Sequence, residues 1–206
     1  MSTDPAQYYE SCLETLASGA TSAWPSIASA YTGRAYHNLD HLREMLGHLQ
    51  AIPPDFAPAA APLFGMALIY HDIVYRAGRK DNEAKSADRL EMDLIALGRS
   101  KTEANFCRSL IMATKSHQPS QKNQTAEAWL IDYDLAVLAR DAAGYDLYVA
   151  GIRREFRRYP NFLYRPGRRK ALQHFLERDW IYQTPVFRQR FEEIARTNIQ
   201  RELAGL

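Results

Sequence analysis

The segment Pro62-Leu63-Phe64-Gly65-Met66-Ala67-Leu68-Ile69-Tyr70-His71-Asp72 runs uncharged through eight residues after its proline and then ends on a histidine and an aspartate. A proline at a first turn, followed by side chains that are apolar almost all the way round, predicts a buried central helix rather than an amphipathic surface one. The end of that helix is the informative part. An ionised carboxylate at the tip of the most apolar helix costs on the order of several kcal/mol in desolvation unless it is paired or bound to a metal. A neutral imidazole next to a carboxylate is a common ligand pair for a divalent cation.

Outward from this segment the spacing stays helical. Upstream, Tyr8, Cys12, Leu13 and Leu16 recur at helix spacing after Asp4-Pro5, and Asn38 can cap a helix through Leu42, Met45, Leu46 and Leu49. Downstream, Asn82 can cap a helix ending at Gly98, and Ser100-Lys101-Thr102-Glu103 fits a capping box. Further helices are predicted over 125–133, after Asp141, with Pro166 in a first turn, and after Thr184-Pro185. No strand alternates convincingly, and no linker separates two units. The expectation is one all-α domain over 1–206, irregular rather than a four-helix bundle.

Composition agrees with a globular chain. Of 206 residues 46% are hydrophobic and 24% charged, with 26 basic against 24 acidic residues for a net charge of +2. Those values argue against disorder, and a chain of this size buries roughly 70% of its unfolded surface. Two cysteines, Cys12 and Cys107, fit a reduced compartment. No signal peptide or spanning segment is apparent, so a cytoplasmic protein without a membrane partner is expected.

Six histidines remain to be explained. Three clusters hold most of the chemistry: Tyr36-His37-Asn38-Leu39-Asp40-His41, Tyr70-His71-Asp72, and Ile131-Asp132-Tyr133-Asp134-Leu135. His37 and His41 are four apart and share a face if one helix includes both. Asp132 and Asp134 point about 200° apart on a helix, so only one can address a given ion directly.

The order of these residues resembles the HD-domain superfamily of metal-dependent phosphohydrolases. His37-Asn38-Leu39-Asp40-His41 is similar to the H-N-x-x-H motif of its cyclic-nucleotide phosphodiesterases. Ala113-Thr114-Lys115-Ser116-His117 is similar to their A-T-x-x-x-H region, one residue shorter, and Tyr133-Asp134-Leu135-Ala136 to their A-D-L-S segment. Most of the chain also resembles a bacterial group of predicted HD phosphohydrolases, through Asn82-Glu83-Ala84-Lys85-Ser86-Ala87, Gly151-Ile152-Arg153-Arg154-Glu155 and Glu193-Ile194-Ala195-Arg196-Thr197-Asn198.

The resemblance implies an HD-type helical fold and a hydrolase of a phosphate ester, of a nucleotide or another small phosphorylated metabolite. It implies a divalent cation (Mn, Fe, Co, Zn or Mg) on His41, His71, Asp72 and Asp134. Asp134 is preferred to Asp132 because a leucine follows it, which leaves Asp132 to orient a ligand histidine. His37 matches the general acid that protonates the leaving oxygen, the alternative being a packing role. Glu83, with Asp72, is a candidate catalytic acid: it orients the attacking water or merely favours the helix dipole. Arg34, Lys115 and His117 are the candidates for contacting substrate, against ordinary surface roles for the first two. His117 is also the one histidine placed to hold a second ion. Asn82-Glu83 stands where two-metal members carry another, so one site is expected. A di-iron oxygenase and a non-catalytic module that binds a nucleotide or nucleic acid around a structural metal are the rival readings.

Net charge hides one feature. From Arg153 to Lys170 there are eight basic residues and one acid, Glu155, so this segment is +7 and the remainder −5. With Tyr159, Phe162 and Tyr164 interleaved, it could attract a nucleotide or a short single strand, or serve only as a solvated helix face.

Overall fold

The computed structural model describes residues 2–55, 60–120 and 122–206, and capping residues and breakers divide these described residues into ten α-helices. They are α1 Pro5–Leu16, α2 Trp24–Ala30, α3 Leu39–Ala51, α4 Ala61–Tyr70, α5 Asn82–Ala96, α6 Lys101–Ser116, α7 Gln124–Leu135, α8 Ala142–Glu155, α9 Asn161–Leu176 and α10 Pro185–Gly205. A 3₁₀ turn, Ala136–Ala139, follows α7 directly, and the described residues contain no strand. The fold is all-α. No helix is long and apolar enough among the described residues to cross a membrane.

The apolar segment is the central helix. Every residue of α4 from Leu63 to Tyr70 is buried, and α1, α3, α5 and α6 pack around it. Gly65 permits the closest approach: a Cβ there would lie 2.6 Å from Cys12 Sγ and 2.8 Å from the Tyr8 ring. Any larger residue would push α1 away from α4.

Several ends follow the sequence signals. Asn38 Oδ1 accepts from the backbone N–H groups of Asp40 and His41, and Ser100 and Glu103 complete the capping box of α6. Asp141 caps α8 by accepting from Gly144 N–H, and Thr184 caps α10.

Other expectations need correction. Asn82 is the first residue of α5 rather than its cap. Its side chain bonds both the N–H and the carbonyl of Arg76, 3.1 Å each, and so pins the loop before the helix. Pro166 lies inside α9, which begins five residues earlier after the extended Pro160. The proline removes only the partner of the Phe162 carbonyl, and Phe162 is itself exposed. α7 runs past Tyr133 to Leu135, which places Asp134 in its last turn. α2 was not anticipated: of its seven residues only Ile27 is buried, so it displays no apolar period.

Candidate metal centre

Four helix ends meet at one point. His41 stands in the first turn of α3, His71 at the C-terminal cap of α4, His117 at that of α6, and Asp134 in the last turn of α7. One ligand atom from each of His41, His71 and Asp134 lies within 4.8 Å of the other two. The separations are 3.1 Å from His41 Nε2 and 3.6 Å from His71 Nε2, both to Asp134 Oδ1.

Both ring orientations are fixed from behind. His71 Nδ1 donates to the Leu68 carbonyl at 2.8 Å, so in the neutral ring the Nε2 lone pair points at the cluster. That Nε2 is buried and has no hydrogen-bond partner. His41 Nδ1 is 3.1 Å from the Tyr36 hydroxyl, which leaves its Nε2 for Asp134. Asp72 Oδ2 lies 3.2 Å from His71 Nε2, and His117 Nε2 lies 3.7 Å from Asp134 Oδ2. His117 is the only non-glycine residue among the described ones with positive φ, 50°. Such backbone strain is tolerated most often at functional sites.

Burial penalises charge here, yet the facing imidazoles hold Asp134 well below the usual carboxylate range, and His71 and His37 bring Asp72 down to about 2. Two ionised carboxylates, partly exposed and both close to His71, are stabilised by positive charge between them, from imidazole protons or from a cation. With His71 neutral, its Nε2 lone pair faces two carboxylates, a nitrogen and oxygen set that fits a divalent cation in place of the imidazole proton. The described residues can therefore hold a metal ion on His41, His71 and Asp134, with Asp72 alongside.

Asp132 is elsewhere. It is fully buried on the opposite side of α7 and accepts from the N–H groups of Gln183 (2.6 Å) and Thr184 (2.7 Å) and from the Thr184 hydroxyl (2.7 Å). Burial outweighs these donors and pushes its carboxyl up to about 6. It anchors the start of α10 and orients no histidine of the cluster. A hollow of about 580 Å³ lies on that same side near Trp129 and Thr184 and includes no cluster residue among its lining.

His37 is not on the helix with His41, because Asn38 caps between them; their rings are nonetheless 6.1 Å apart. Glu155, in the last turn of α8, holds His37 in place. Its Oε2 is 2.7 Å from His37 Nδ1, and its Oε1 accepts from the N–H groups of Tyr36 and His37. Tyr75 stacks on the same ring at 3.9 Å, and His37 Nε2 then faces Asp72 Oδ2 at 3.9 Å. Glu155 and Tyr75 were not among the expected site residues. The signals for Glu155 were its position as the only acid in the +7 segment and its place at the end of Gly151-Ile152-Arg153-Arg154-Glu155.

The remaining candidates are placed differently from expectation. Arg34 does not offer a free fork to phosphate: it donates to the backbone carbonyls of His37, Asp72 and Ile73 at 3.2, 2.5 and 2.9 Å. Those carbonyls belong to two loops that lack helical partners, so the guanidinium braces them. Lys115 Nζ donates to the Lys80 carbonyl at 2.7 Å, away from the cluster. Glu83 stands half-buried in the first turn of α5 with no hydrogen bond or ion pair to a described residue. The basic segment is not one face either. Arg168 pairs with Glu202, Arg169 reaches the Leu203 carbonyl, and Arg153 bonds to the Phe156 and Tyr159 carbonyls. No family model, curated protein or solved structure matches this chain, so its chemistry is read from these residues themselves.

Proposed function

We propose that the protein is a metal-dependent hydrolase of a phosphate ester, of a nucleotide or another small phosphorylated metabolite, with an HD-type centre. The observation that carries this reading is the pairing of two units side by side. One is a set of nitrogen and oxygen ligands, His41, His71, Asp72 and Asp134. The other is a histidine, His37, held by a carboxylate and facing that set. A Mn, Fe, Co, Zn or Mg ion bound there supplies Lewis acidity, acidifying water and polarising a phosphoryl oxygen.

The chain's own residues do the rest. Glu155 keeps a proton on His37 Nδ1, so Nε2 is the atom that exchanges a proton with a leaving oxygen. Tyr75 and Glu155 fix that ring from two sides, limiting the reorganisation needed during proton transfer. His117 stands beside Asp134 with its ring partly exposed, positioned to bind a substrate oxygen. Arg34 acts indirectly, by holding the loops that carry His37 and Asp72.

A di-iron reading requires more histidines. Besides His41 and His71, the described residues bring only His37 and His117 to the cluster, and His37 is engaged by Glu155. The test is turnover of a panel of phosphomonoesters, diesters and nucleotides by chelated and by metal-reloaded protein. Activity in the reloaded sample alone supports the reading; equal rates in both overturn it.

A further inference from the structure

Beside the cluster, the loop after α4 and the end of α8 enclose two adjoining hollows of about 360 and 400 Å³ that share Ala77, Glu155 and Arg157 as lining. Arg34, Arg76, Arg154, Arg157 and Arg158 line them, and Glu155 is the only acid. That acid is already committed to His37 and to the N–H of Tyr36. Arg34 is bound to carbonyls, but the side chains of Arg76, Arg154, Arg157 and Arg158 have no hydrogen bond or ion pair among the described residues. The contrast within one stretch of sequence is the telling point. Arg153, Arg168 and Arg169 are turned onto partners of the fold, whereas their exposed neighbours have none: Arg154 lines one hollow, Arg158 the other, and Arg157 both.

Four guanidinium groups without partners along two adjoining hollows make the cleft positive, which a bound anion offsets; their forked donors match phosphate oxygens. The volume suits a small ligand group rather than a helix or strand of a partner. Tyr75 and Glu155 line one of the hollows and also contact His37, whose far nitrogen faces Asp72, so the cleft is joined to the cluster through His37.

We propose that this arginine cleft is a second phosphate-binding subsite, so that the substrate carries a further phosphate on the leaving-group side of the ester that is cleaved. The substrate class rests on the hydrolase reading above; the binding of phosphate by the cleft does not.

The test separates the two. In EDTA, titration calorimetry with inorganic phosphate and with adenosine 5′-monophosphate reads the cleft alone. The double variant Arg157→Ala/Arg158→Ala is expected to weaken both at least tenfold. Arg165→Ala/Lys170→Ala removes the same charge from α9 outside the cleft and is expected to change neither appreciably. With Mn added, adenosine 3′,5′-bisphosphate is expected to bind the wild type at least tenfold tighter than the monophosphate, and equally to it in the Arg157/Arg158 variant. Equal losses in the two double variants overturn the subsite. Equal affinity for mono- and bisphosphate with metal bound overturns the substrate class. Affinity that grows with the length of a single-stranded oligonucleotide, with no preference for the bisphosphate, makes the cleft a nucleic-acid track and overturns the proposal. If calorimetry shows no metal binding, the hydrolase reading falls while the EDTA arm still decides the cleft.

Discussion

Glu155 holds the ring of His37 across 118 residues of sequence, carboxylate to Nδ1 at 2.7 Å. Burial raises the carboxyl's pKa, but the hydrogen bond and charge of His37 and the two backbone N–H groups outweigh burial and bring it from 4.5 to about 2. The folded value lies below the unfolded one, so this stabilisation is complete above pH 4.5 and is lost as pH falls toward 2. Allowing for solvent screening, it amounts to roughly 1–2 kcal/mol. Glu155→Gln is expected to flatten the acid limb of stability between those values, measured as urea midpoint against pH. An unchanged limb would show that the carboxylate contributes nothing there.

Cation binding should appear as stability before any substrate is known. A ligand at a hundred times its Kd adds about 2.7 kcal/mol, a rise of roughly 5–10 °C in Tm for a chain of this size. His71→Ala and Asp134→Ala are expected to abolish the rise with Mn or Zn in differential scanning fluorimetry. The same rise in both variants places the ion elsewhere.

The two aspartates of α7 should separate stability from metal binding. Asp132→Ala leaves the donors of Gln183 and Thr184 without an acceptor and is expected to cost about 3 kcal/mol while keeping metal affinity. Asp134→Ala is expected to lose at least tenfold in metal affinity. Denaturation and calorimetry on the same preparations check both, and a reversed pattern would contradict the assignment.

Arg34 provides a different contrast. Lysine cannot span three carbonyls, so Arg34→Lys is expected to lose roughly 1.5–3 kcal/mol of stability. A raised KM with an unchanged denaturation midpoint would instead return the residue to the substrate.

Local signals carried much of the structure in the sequence. Asn38, Ser100 with Glu103, Asp141 and Thr184 act within three residues of themselves: the first two cap as read, and the helices expected after Asp141 and Thr184-Pro185 start there. Helix geometry showed locally that only one of Asp132 and Asp134 can face the ion, while the preference for Asp134 came from the resemblance, through the leucine that follows it. What escaped was long-range or weakly periodic. Nothing near Glu155 announces His37, nothing near Arg34 announces the carbonyls of Asp72 and Ile73, and α2 buries too little to show a stripe. Charge summed over 153–170 was right, but which arginines turn inward depends on Glu202 and Leu203 at the far end of the chain.

One consequence of the cap at Asn38 concerns how the chain tolerates change. Asn38 touches neither carboxylate of the cluster, yet it sets where coil becomes helix between two histidines with different tasks. If α3 started one turn earlier, His37 would be wound onto the face of His41 and drawn away from Glu155. A mutational scan scored on function should therefore rank Asn38 beside the histidines, with Asp, Ser and Thr tolerated and Ala not. The chemistry here depends on a boundary as much as on the residues either side of it.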